Sequence, residues 1–81
     1  MKAKQLIELI KREVFDGRGF NKQKACEFAE KHGLKFGFTS RKYASFRSGD
    51  VIETKKCIRI YGGGDVKGGF YIYPYIEISK K

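Results

Sequence analysis

Val51-Ile-Glu-Thr-Lys-Lys-Cys-Ile-Arg-Ile-Tyr61, then Gly62-Gly-Gly-Asp-Val-Lys-Gly-Gly69, then Phe70-Tyr-Ile-Tyr-Pro-Tyr-Ile-Glu-Ile78 run on without a break. The outer stretches are rich in isoleucine and tyrosine, residues that fit a pleated surface, and the glycine-rich middle suits neither a helix nor a strand. Together they predict a long β-hairpin with arms at 51–61 and 70–78. Side chains alternate between the two faces of a strand. Ile52, Ile58 and Ile60 are thereby assigned to one face of the first arm, and Phe70, Ile72, Ile76 and Ile78 to one face of the second. Lys55, Cys57, Arg59, Tyr61, Tyr71, Tyr73 and Tyr75 fall on the opposite face. A slip of one residue would set isoleucines beside tyrosines, so partner numbers are expected to sum to even values, as in Ile60 beside Phe70 or Ile72. Pro74 has no N–H for a ladder, which predicts an edge position for the second arm.

The isoleucine face needs a cover, and the residues before 51 must supply it. Leu6, Ile7, Ile10 and Val14 recur at helical spacing, predicting a first helix over about 3–15 that stops at Asp16-Gly-Arg-Gly19. Asn21 is a good N-cap and Gly33 a good C-terminal stop, which predicts a second helix over about 21–33. Leu34 to Phe38 is read as a connector. Thr39 or Ser40 can cap and Gly49 can terminate, so a short third helix is expected over about 41–48. The expected fold is therefore α+β: a single small basic domain spanning 1–81, with two to three N-terminal helices packed on a C-terminal antiparallel β-hairpin in a winged-helix-like arrangement.

Charge narrows the function. The 81 residues carry a formal net charge of +9, and a polyanionic partner explains such an excess better than solubility alone. The cations are also unevenly placed. Lys31, Lys35, Arg41, Lys42 and Arg47 lie in a stretch, 31–49, that contains no acid. If 41–48 is a helix, it follows the 21–33 helix as a groove-reading helix would, though the connector is longer than the usual tight turn. The leading expectation is thus a double-stranded-DNA-binding transcription regulator that uses Lys35, Arg41, Lys42, Ser45 and Arg47, with Lys67 at the hairpin tip on the backbone. A second expectation places RNA or single strands on a stacking face of Arg59, Tyr71, Tyr73 and Tyr75. A third is a non-enzymatic inhibitor or adaptor that docks its basic face on an acidic protein.

Catalysis finds little support. His32, the single histidine, sits at a helix end without a nucleophile at a telling distance, and Cys26, His32 and Cys57 match no zinc spacing. The glycine run leads into a strand and lacks the Gly-Lys-Ser/Thr of a phosphate loop. No enzyme, metal or cofactor is expected. Two widely separated cysteines read as reduced thiols in a cytoplasmic protein, and no apolar run is long enough to cross a bilayer.

Overall fold

A computed structural model describes residues 2–16 and 19–80. Gly17 and Arg18, read above as part of the stop after the first helix, lie outside the described residues. Helix α1 covers Ala3–Glu13 and buries Leu6 and Ile10. The chain then makes a small hairpin of β1 (Phe15–Asp16) and β2 (Gly19–Phe20), in which the Phe15 and Phe20 rings meet edge to face at 5.4 Å. Helix α2 covers Lys22–His32. Its first turn is capped by the Asn21 side chain, which accepts from the Lys24 N–H at 3.0 Å, and Gly33 closes it at φ 66°.

Five more strands form the main sheet: β3 (Lys35–Arg41), β4 (Val51–Glu53), β5 (Cys57–Tyr61), β6 (Asp65–Lys67) and β7 (Phe70–Ser79). Their order is β3-β7-β5-β4, with β6 also paired to β7, and every pairing is antiparallel. The fold is α+β, with two helices ahead of a mostly antiparallel sheet. Principal extents of 38 × 30 × 17 Å correspond to one helix layer on one sheet layer, which leaves the far sheet face without helices.

Several expectations change here. The stretch expected as a third helix, 41–48, contains no helix: Arg41 ends β3, and 42–50 crosses the sheet as an irregular strap. The 34–38 connector is mostly strand. Local capping signals misled because pairing with β7 outweighs them. Lys35 to Arg41 supplies the partner for most of one side of β7, from Lys35 opposite Glu77 to Arg41 opposite Tyr71. Gly37 marks a close approach, since a Cβ there would stand 2.9 Å from Cζ of Tyr75.

The first arm is also not one strand. It reverses at Thr54-Lys55-Lys56, where the Thr54 hydroxyl accepts from the Lys56 and Cys57 N–H groups and the Thr54 N–H donates to the Cys57 carbonyl at 2.8 Å. That reversal changes the phase. Ile52 pairs with Arg59 and lies on the tyrosine face, not with Ile58 and Ile60 as the alternation suggested.

The even-sum register is observed between β5 and β7, but with different partners. Ile60 faces Ile76 and Ile58 faces Ile78, because β6 takes the place beside Phe70 and Ile72. The glycine run is thus structured. Gly62, Gly63 and Gly64 face only Pro74 and Tyr73 across the ladder, a bulge of one extra residue. Gly68 and Gly69, at φ 56° and 82°, then form the two-residue reversal that favours positive φ at both positions. Pro74 is central, not at an edge, because its carbonyl accepts from the Gly62 N–H at 2.8 Å. The proline nitrogen points to the same side as that carbonyl, toward the bulge where the regular ladder is already broken, so its missing donor costs no regular bond.

Ile58, Ile60, Ile76 and Ile78 form one core with Leu6, Ile10, Val14, Ala25 and Phe28 from the helical side. The cover expected from the residues before 51 is present. Lys22 on α2 is paired with Asp65 on β6, tying the helix layer to the strand beyond the bulge.

Candidate nucleic-acid interface

The sheet face turned away from the helices can be assembled from the register alone. Lys35, Glu77, Arg59 and Ile52 lie in one row across β3, β7, β5 and β4. Gly37, Tyr75 and Tyr61 form the next, Thr39 and Tyr73 the third, and Arg41, Tyr71 and Val66 the last. Phe46, carried by the strap, stacks on Tyr61 with ring centroids 4.0 Å apart and planes 3° apart, and meets Tyr73 edge to face at 5.1 Å. The Ser45 N–H donates to the Tyr73 hydroxyl at 2.8 Å. Tyr61, Tyr73 and Tyr75 consequently form a second small core, Tyr73 only 2% exposed and Tyr75 6%.

Beside this cluster lies an open groove of about 1020 Å³. Among the described residues, Lys35, Arg41, Lys55, Lys56, Arg59 and Lys80 line it, with Glu77 as the one carboxylate side chain. Glu77 is already engaged: Arg59 Nε donates to its Oε1 at 2.8 Å, while Arg59 Nη1 donates to the Tyr61 hydroxyl at 3.3 Å. The guanidinium carbon of Arg59 stands 4.3 Å from the Tyr75 ring centroid, a cation–π placement. Lys80 is tied to Glu53 at 2.6 Å. A bound anion would therefore meet a surplus of positive charge, mostly at the Lys55-Lys56 turn, at Lys35 and at Arg41.

The Arg59 guanidinium, donating a hydrogen bond, holds the Glu77 carboxyl below its usual value, against the opposing effect of burial. A lowered carboxylate contributes stability that is complete above its unfolded value, about pH 4.3 for glutamate, and that is lost as the pH falls through the folded value. Glu77→Gln should accordingly flatten the acid limb of the stability curve. Thermal unfolding between about pH 5 and 3 is expected to lower the wild-type Tm more steeply than that of the variant. Parallel limbs would show that the pair adds nothing on folding.

The sequence-predicted site residues divide into separate groups. Lys35 and Arg41 come to the groove from the two ends of β3, and Arg59 from β5. Lys42, Ser45 and Arg47 lie exposed on the strap and not on a helix. Lys67 is at the far tip, opposite Phe70 and on the other sheet face from Tyr71. Tyr71, Tyr73 and Tyr75 share a face as expected, but Tyr73 and Tyr75 are covered and present no open stacking surface. Lys56, Lys80 and Phe46 were missed. A turn signal at Thr54-Lys-Lys-Cys57 was available for the first, whereas nothing local announces that Phe46 meets Tyr61.

No helix among the described residues is long and apolar enough to cross a membrane. Comparisons with known protein families, curated proteins and solved structures gave no significant match, so the functional argument rests on geometry and charge.

Proposed function

We propose that the protein binds single-stranded nucleic acid in the groove on its helix-free sheet face. Arg41, Lys55, Lys56 and Lys35 would take the phosphates, and the aromatic cluster would wall one side. The observation that carries this reading is the lining itself: six cations surround one carboxylate, and that carboxylate is already bound to Arg59. A positive groove beside aromatic rings is the combination that tracks a single strand without regard to sequence. The winged-helix reading loses its groove-reading element, because 42–50 is an irregular strap and Arg41 ends a strand. Lys42 and Arg47 on that strap can still add long-range attraction.

Binding should be measured for single-stranded RNA, single-stranded DNA and duplex DNA of roughly 16 nucleotides, near the upper site size of a small binding fold. The expected result is tighter binding of single strands, with log affinity falling linearly in log salt by about 0.7 per phosphate contact. Duplex binding that equals or exceeds single-strand binding would overturn the groove assignment. Failure to bind any of the three at low salt would overturn the nucleic-acid reading and favour an acidic protein partner.

A further inference from the structure

We infer that the face of Tyr61 covered by Phe46 is a nucleobase subsite, which the 42–50 strap holds closed until an unpaired base displaces the phenyl ring. This rests on the single-strand reading above and adds a ligand group and a gate to it. The Phe46 ring lies parallel to Tyr61 at 4.0 Å, the placement a base adopts on an aromatic side chain. The exchange would therefore replace one flat partner with another at an intact platform. The platform also adjoins the charge. Phe46, Tyr61, Arg41 and Arg59 line the same groove, and the Arg41 guanidinium carbon stands 5.8 Å from the Phe46 centroid. A base in the position of Phe46 would have that arginine within reach of its own phosphates.

The strap is fastened lightly enough to open. Lys42, Tyr43, Ala44, Ser45, Arg47 and Ser48 are exposed, and Phe46 is the one strap residue in that run that packs into the tyrosine cluster. Apart from Phe46, its described hold on the cluster between Lys42 and Ser48 is the hydrogen bond from the Ser45 N–H to the Tyr73 hydroxyl. Its root is firmer. The Gly49 N–H donates to the Tyr61 carbonyl at 2.8 Å, the Tyr61 N–H donates to the Asp50 carbonyl at 2.9 Å, and the Asp50 carboxylate accepts from the Arg47 N–H at 2.9 Å. Opening would thus pivot the 42–46 segment and leave the 47–50 turn on β5. A ligand that needs the open state binds with its affinity reduced by the open fraction, so weakening the closed state strengthens binding.

Two variants separate a gate from an ordinary core contact. Phe46→Ala removes the competing ring. Tyr73→Phe keeps the aromatic core and removes only the hydroxyl that receives the Ser45 N–H. Each 81-residue chain is titrated with a single-stranded oligodeoxynucleotide and with inorganic polyphosphate of matched charge, which carries no bases. The expected result is oligonucleotide binding roughly two- to tenfold tighter in both variants, the range an aromatic pair or a hydrogen bond is worth, with polyphosphate binding unchanged. If Phe46→Ala loses its fold, Tyr73→Phe decides the matter. Oligonucleotide binding that is unchanged or weaker in the folded variants would overturn the subsite, as would an equal gain for polyphosphate. Wild-type protein that binds polyphosphate but no oligonucleotide would bring down the single-strand reading itself, and the subsite with it.

Discussion

Replacing Arg41, Lys55 and Lys56 together with alanine should weaken single-strand binding roughly a hundredfold near 0.1 M salt. The figure follows from counterion release: each phosphate contact on a single strand contributes about 0.7 to the slope of log affinity against log salt, so three contribute about 2. The three side chains line one groove but come from separate places, the end of β3 and the turn between β4 and β5. Their joint effect therefore tests the groove and not one loop. A matched control replaces Lys2, Lys4 and Lys11, which are exposed on or beside α1 and belong to the other layer. The control loses the same formal charge and is expected to reduce affinity far less. Equal losses in affinity and slope would show that net charge alone governs binding, and the groove would cease to be the site.

Ile76→Ala should cost about 2–5 kcal/mol of folding stability, the range for truncating a large buried aliphatic residue. Ile76 is 0% exposed and sits on the central strand, opposite Phe36 of β3 and Ile60 of β5, where both neighbours meet the helix layer. A domain of this length has a total of roughly 4–12 kcal/mol to lose, so the variant should lie near its unfolding midpoint at modest denaturant. Urea unfolding measures the effect directly. Val66→Ala serves as reference: Val66 is 66% exposed near the tip, and its replacement should change stability by under about 0.5 kcal/mol. A loss below about 1 kcal/mol at Ile76 would contradict the assignment of the isoleucine face to the core.

The parts of this architecture that were legible from sequence are those set by local chemistry. The α1 and α2 helices follow from apolar spacing and from Asn21 and Gly33, and the division into isoleucine and tyrosine faces follows from alternation within β5 and β7. What was not legible depends on partners far apart in the chain. Lys35 to Arg41 becomes a strand because β7 has an open side, although Thr39 and Ser40 argue locally for a helix cap. Thr54-Lys55-Lys56 reverses the chain inside what alternation presents as one arm, and so carries Ile52 to the unexpected face. The basic site shows the same division. The acid-free stretch drew attention to Lys35 and Arg41, but its grouping in sequence did not put Lys42, Ser45 and Arg47 on the groove lining. Lys56 and Lys80 reach the groove through the β4–β5 turn and the end of β7, which only the assembled sheet brings together.

The extra residue at Gly62–Gly64 also matters for how the domain can change length. Below it, partner numbers across β5 and β7 have one parity, and above it β6 and β7 have the other. On the β5–β6 side the tip thus keeps its own phase, while β7 runs unbroken beside β3 up to Tyr71. Adding a residue to each of β6 and β7 next to the Gly68-Gly69 reversal would lengthen the ribbon without turning Ile58, Ile60, Ile76 or Ile78 out of the core. A single residue inserted within β5 would have no such freedom, because it would set isoleucine against tyrosine along the rest of that strand. Paired insertions at the tip therefore leave both the core and the basic groove in register.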